Sequence, residues 1–231
     1  MTSTTPRPVL VLDVLGTLVD QAGSLAAQVR DVGLDAAAAE RVVETWLARV
    51  AERERAVVDG REPFEPSHAL DREVLAGLVD EGALPAGADA RLATAAHRLS
   101  PWPDSAAGTA RLDRDFTVVG LSNADRSTLA ALRDGAGLRW DGALSAQDVG
   151  TYKPAPDLYA AAVEATTMPG AGAPVMVAAH AWDLRAAAEV GMRTAYVPRP
   201  QGDPPRPGET FDVHAADLGD LHEQLLAGAL G

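Results

Sequence analysis

Four short, mostly apolar runs punctuate the chain, and each ends abruptly. Val9-Leu10-Val11-Leu12 stops at Asp13, and Phe116 to Leu121 stops at Ser122-Asn123. Val175 to Ala179 stops at His180, and Thr194 to Val197 stops at Pro198. Continuous apolar runs of this kind mark strands that a parallel sheet buries on both faces. Between them, residues 126–135, 156–166 and 182–190 carry Ala, Leu, Arg and Glu at helical spacing. Alternating strand and helix patterns predict an α/β fold, a Rossmann-like parallel sheet flanked by helices.

The interval from Asp20 to about Ser100 breaks the alternation. It carries helical patterns at about 24–31, 36–58, 69–80 and 87–99, interrupted at Gly60 to Pro66, and no convincing strand. An all-helical block directly after the first strand reads as an insertion into the α/β core. Pro101-Trp102-Pro103 is the expected return hinge, and 199–209, with its Pro and Gly, is expected to be a loop. The expected organisation is a core of residues 1–20 and 101–231 carrying a helical cap domain of residues 21–100.

Composition narrows the function. A chain of 231 residues can bury a full core, and 47% hydrophobic against 23% charged residues excludes wholesale disorder. The net charge of −13 argues against nucleic acid or an anionic membrane as partner. The absence of Cys removes disulfides, thiolate nucleophiles and Cys-bound metals. The N-terminal MTSTTPRP has no charged region followed by an apolar stretch, so no signal peptide is expected. No apolar run approaches the ~20 residues that span a bilayer. A cytoplasmic protein acting on a small molecule is the expectation. One asymmetry stands out: of 20 basic side chains only Lys153 is a lysine, leaving 19 Arg, and Asn123 is the only asparagine. Codon bias toward GC accounts for the scarcity but not for the two positions retained.

In an open parallel sheet, ligands bind beyond the carboxyl ends of the strands. Asp13, Ser122 with Asn123, and His180 with Asp183 all follow strand patterns at that edge. Lys153, after Ala143-Leu144-Ser145 and before Pro154, can reach it too. A carboxylate clamped beside a lysine stays ionised, which suits a nucleophile, and a second carboxylate can act as general base on water. Arginine, with its planar fork, cannot replace a compact ammonium in such a place. Plainer readings stand beside these: Asp13 and Asp183 as helix caps, Asn123 as a turn residue, Lys153 as a surface lysine. His68, His97, His214 and His222 lack metal-ligand spacing and are expected at the surface. Trp46, Trp102 and Trp182 read as packing anchors. The Arg-rich 49–61 stretch, which also holds Glu52, Glu54 and Asp59, reads as a solvated helix face.

Taken together, Asp13-Val14-Leu15-Gly16-Thr17-Leu18, Leu121-Ser122-Asn123, Lys153-Pro154 and Ala179-His180-Ala181-Trp182-Asp183 resemble, in order, the four motifs of the haloacid dehalogenase superfamily. The helical insert is similar to its cap domain, so the resemblance spans nearly the whole chain. Phosphatases of the superfamily carry a proton-donating Asp where this chain has Leu15, and an acidic pair for Mg²⁺ where Asp183 stands without an acidic neighbour. Both departures point to the branch resembling L-2-haloacid dehalogenases, with no metal and no cofactor. That resemblance implies hydrolysis of a short 2-haloacid to the 2-hydroxy acid by a homodimer. Asp13 would form an ester with the substrate, and Asp183, helped by Lys153, would position the water that cleaves it. Thr17, Ser122 and backbone N–H groups would hold the nucleophile loop and the substrate carboxylate. Asn123 would face the halide and Tyr159 would orient Lys153, with Leu15, Trp46 and His180 on the substrate side. The branch usually places a halide-binding Arg directly after a cap-helix Trp. Here Leu47 follows Trp46, and Arg49 lies about 200° around a helix from that place. Leu15 also replaces a usual Tyr, and Ala178-Ala179-His180 a usual Ser/Ser/Asn run. A phosphatase of the same superfamily and a catalytically silent small-carboxylate-binding homologue are the alternatives.

Overall fold

The computed structural model describes residues 7–167, 170 and 172–230; Met1–Pro6, read above for a leader, lie outside them. The chain enters through β1 (Val9–Asp13), buried along its whole length, and turns through a tight loop into β2 (Val19–Asp20). Helices α1 (Gln21–Asp31), α2 (Ala36–Val58), α3 (Ser67–Asp80) and α4 (Ala88–Leu92) follow, then a 3-10 turn at Ala95–Arg98. β3 (Ser100–Pro101) pairs antiparallel with β2, so the helical stretch between them starts and ends at a two-stranded neck. The remainder alternates: α5 (Ser105–Asp115), β4 (Thr117–Ser122), α6 (Arg126–Gly135), β5 (Gly142–Ser145), α7 (Ala146–Val149), α8 (Pro156–Thr166), β6 (Val175–Ala178), α9 (Ala181–Glu189), β7 (Arg193–Tyr196), β8 (Val213–His214) and α10 (Leu218–Leu226).

The main sheet is parallel throughout, in the order β5-β4-β1-β6-β7-β8. Its central strand shows why it must be covered on both faces. Leu10 and Leu12 join one apolar cluster with Leu112, Leu132 and Leu218, while Val9 and Val11 join another with Tyr152, Leu158 and Leu184. Burying each such side chain contributes about 1.5–3 kcal/mol, so the period-two alternation of β1 ties both helical layers to one strand. The register aligns Asp13 with Leu121 of β4, and Ser122 of β4 with Ser145 of β5. The polar ends of these neighbouring strands therefore share one edge.

Local signals start the helices where they are needed. Asp35 accepts from the Ala38 N–H at 2.8 Å and opens α2; Asp125 accepts from the N–H groups of Ser127 and Thr128 and opens α6. The expected helix over 87–99 is not continuous. It breaks at Thr94, whose φ of −119° and ψ of 25° leave the helical range, and the Thr94 carbonyl and hydroxyl both accept from Arg98. No described helix is long and apolar enough to cross a membrane.

Candidate active site

At the carboxyl end of β1, Asp13 is held from two sides. Thr17 Oγ1 donates to Asp13 Oδ2 at 2.5 Å, and Lys153 Nζ donates to Oδ1 at 2.8 Å. The Thr17 hydroxyl has little choice of direction: it accepts from the Ala179 N–H at 2.9 Å, which leaves its proton for Asp13. The turn that returns the chain from Asp13 to Thr17 needs Gly16, whose φ is +81°. A Cβ there would also come within 2.6 Å of His180 Nε2.

Lys153 joins the two carboxylates. Its Nζ donates to Asp183 Oδ2 at 2.7 Å, and the Tyr159 hydroxyl donates to the other oxygen, Oδ1, at 2.5 Å. Tyr159 was expected to orient Lys153 itself; it does so only through Asp183. Burial opposes the lysine charge, but the carboxylates of Asp13 and Asp183 outweigh it and hold the ammonium above the ordinary lysine range. Burial pushes the Asp183 carboxyl up, against Lys153, while the nearby Asp13 charge adds to the rise. An Asp183 with raised proton affinity is a better base. Each carboxylate oxygen of the pair already accepts one hydrogen bond, so this donor set does not fit a hard cation, which wants several unclaimed oxygens.

A cavity of about 240 Å³ opens above Asp13. Of the residues expected on the substrate side, Leu15, Ser122, Asn123 and His180 line it, as do Asp13 and Lys153 of the expected catalytic set, while Tyr159 does not. Ser122 is buried, and its Oγ accepts from the Ala124 N–H at 3.2 Å. Trp46 does not line it. Its indole is buried within the helical insertion and donates from Nε1 to Asp71 Oδ1 at 2.7 Å, because α2 turns that face toward α3. The α2 face toward Asp13 is instead Leu47, Val50, Ala51 and Glu54, spaced for one helical stripe. Arg49 points away and pairs with Glu81 at 2.8 Å.

Asn123 bridges the two halves of the molecule. Its Oδ1 accepts from the Lys153 N–H at 2.8 Å, and its Nδ2 donates to Glu54 Oε2 at 2.8 Å. Asn123, expected to face a halide, thus spends a donor on an acidic side chain of the insertion. The reading of 49–61 as a solvated face fails at Glu54, since α2 is amphipathic here and Glu54, seven residues or about two turns after Leu47, faces inward. Burial pushes the Glu54 carboxyl up to about 7, with Asn123 and Lys153 pulling the other way and Asp71 adding to the rise.

Three residues outside the four motifs, Trp102, Arg199 and Asp104, support the loop after Asp13. Trp102 Nε1 donates to the Gly16 carbonyl at 3.0 Å, and Arg199 Nε donates to the Thr17 carbonyl at 2.9 Å. Arg199 is itself anchored by a two-point pair with Asp104. Trp182 stacks on His180, with ring centroids 5.8 Å apart, at the cavity mouth. Arg199 and Asp104 carried no local signal, whereas Trp102 and Trp182 read as packing anchors and Trp182 lies inside the last motif.

Comparison with known proteins agrees with this geometry. The model of the haloacid dehalogenase-like hydrolase family matches residues 8–191. The chain is 30% identical over 212 residues to (S)-2-haloacid dehalogenase 4A of Burkholderia cepacia, covering 84% of each. Its fold superposes on the L-2-haloacid dehalogenase PA0810 with a TM-score of 0.84 and 32% identity, covering 96% of this chain and 100% of that one. It also superposes on the L-2-haloacid dehalogenase of Xanthobacter autotrophicus with chloropropionic acid covalently bound, at a TM-score of 0.79 and 25% identity, covering 96% and 99%.

Proposed function

Because this chain belongs to the haloacid dehalogenase-like hydrolase family, we propose that it hydrolyses the carbon–halogen bond of short 2-haloacids through an ester on Asp13. The observation that carries the reading is the placement of Asp13: fixed between Thr17 and Lys153 and open to a cavity of about 240 Å³. An Asp13 oxygen attacks C2 of the acid; the carbon–halogen bond breaks and halide leaves with the electron pair. Water then adds to the Asp13 carboxyl carbon, giving one proton to Asp183. The bond from that carbon to the substrate oxygen breaks, the departing alkoxide takes the proton back from Asp183 as the 2-hydroxy acid leaves, and the Asp13 carboxyl releases its remaining proton to solvent. Lys153 offsets the charge of both carboxylates throughout, and Tyr159 holds Asp183 in place. Leu15, two residues after the nucleophile, offers no proton to an alkoxide leaving group, which favours halide over phosphate-ester chemistry.

On this reading residues 21–100 form the cap and α2 supplies the roof of the cavity. A screen of halide release from 2-chloro- and 2-bromo-acids in excess EDTA tests the assignment. Release by the wild type, unaffected by EDTA and absent from Asp13→Asn, is the expected result. Activity confined to aryl phosphates and requiring Mg²⁺ would overturn it.

A further inference from the structure

The roof of the cavity poses a charge problem. Asp13 and Asp183 share one ammonium, so the buried trio already carries a net negative charge. Among the described residues no arginine lines this cavity: Arg49 pairs with Glu81, Arg53 with Glu62 and Glu73, and Arg55 lines the adjoining one. The one ionisable group that α2 turns inward is Glu54, and a departing anion beside an ionised Glu54 would be repelled. Asn123 settles how this carboxyl can be used. The Lys153 N–H claims Asn123 Oδ1, so the amide presents its NH₂ to Glu54 Oε2. Oε2 is thereby fixed as an acceptor, and a proton on Glu54 sits on the other oxygen.

We propose that Glu54 acts as a neutral carboxylic acid whose O–H donates a hydrogen bond to the leaving halide, taking the place that a cation would hold. This rests on the dehalogenation reading above. No proton need leave Glu54: the halide departs with its electron pair as the Asp13–carbon bond forms, and the O–H shares its charge. The surroundings favour the neutral acid. The apolar neighbours Leu47, Val50 and Ala51 desolvate it, and Asp71 on α3 disfavours a further negative charge; Asp13 on β1 lines the same cavity, and buried Asp183 on α9 lies beyond Lys153. Lys153 opposes them but is already claimed by both aspartates. Tyr152 contributes only a neutral hydroxyl, donated to the Glu65 carbonyl, and His180 stacks against Trp182 at the far wall. On α2 itself, Arg55 and Asp59 line an adjoining cavity that Glu54, Asn123 and Lys153 line too.

The test has a kinetic arm and a binding arm. In the kinetic arm, kcat for 2-bromopropanoate should fall about tenfold per pH unit above about pH 7, as Glu54 ionises. Glu54→Gln should turn over more slowly but lose that alkaline limb, and Glu54→Ala should lower kcat by about 10²–10³-fold with little change in KM. In the binding arm, calorimetry of bromide binding at about pH 7.5 in buffers of different ionisation enthalpy should show proton uptake by the wild type and none by Glu54→Gln. Bromide needs no turnover, so this arm tests Glu54 even if no haloacid is a substrate, in which case the dehalogenation reading alone falls. Bromide binding without proton uptake, an alkaline limb that persists in Glu54→Gln, or activity that rises through pH 7 would overturn the proposal.

Discussion

Between Asp13 and Asp183 the chain places its one lysine, in a pocket where only a small cation fits. Lys153 Nζ reaches the two carboxylates at 2.8 and 2.7 Å, and its side chain is almost fully buried. A guanidinium there is too wide and too planar to serve both partners. Lys153→Arg should therefore fold but lose at least ~10²-fold in turnover, measured as halide release, because a misplacement of about 1 Å suffices for such a loss. Lys153→Met leaves two buried carboxylates facing each other, and should destabilise the fold by about 3–5 kcal/mol in chemical denaturation. The retention of one Lys and one Asn was legible as a chemical hint, and the structure brings both to the same cavity, where the Asn123 side chain binds the Lys153 backbone.

Helix α2 shows where reading the sequence stops. Its span of about 36–58 followed from the helical pattern, and the structure has those bounds. Which face turned toward Asp13 did not follow, because the stripe of Leu47, Val50, Ala51 and Glu54 competes with a second buried stripe through Val42, Val43 and Trp46. Glu54 looked like one more charge among Arg49, Arg53 and Arg55. Helix α5 was missed for a different reason: it buries Ser105, Gly108 and Thr109, small residues that leave no apolar periodicity. The α2–α3 contact carries its own prediction. Trp46→Phe removes the donor to Asp71 and should cost about 1–3 kcal/mol in thermal or denaturant unfolding. Since Trp46 does not line the cavity, KM for a 2-haloacid should stay within about twofold of wild type.

Taken whole, the molecule is a parallel sheet whose strand ends form a floor, with a helical insertion supplying the roof. Its acid groups divide by environment. Burial pushes Glu54 and Asp71 up to about 7 and about 6, so the fold favours their neutral forms. Their contribution to stability is complete below the ordinary carboxylate range and is lost as pH rises through about 6 to 7. Asp104, Asp125 and Asp212 are held low despite burial, by Arg199, Ser127 and the Thr194 N–H respectively. What they contribute is lost as pH falls through the ordinary carboxylate range. The melting temperature should therefore peak in the ordinary carboxylate range, about pH 4–5, where the two sets overlap, and decline as pH rises through about 6 to 7. The double variant Glu54→Gln, Asp71→Asn should flatten the alkaline side of that curve in scanning fluorimetry; an unchanged slope would contradict the assignment.

Every step from the four strand ends to the proposed reaction passes through a covalent bond to Asp13. Mass spectrometry after a single turnover in H₂¹⁸O reads that bond directly. The ester route places the label in the peptide containing Asp13, because water attacks the carboxyl carbon and one of its oxygens stays with the protein. Product carrying ¹⁸O from that first turnover, with the Asp13 peptide unlabelled, would mean that water attacks the substrate carbon itself and would contradict the mechanism.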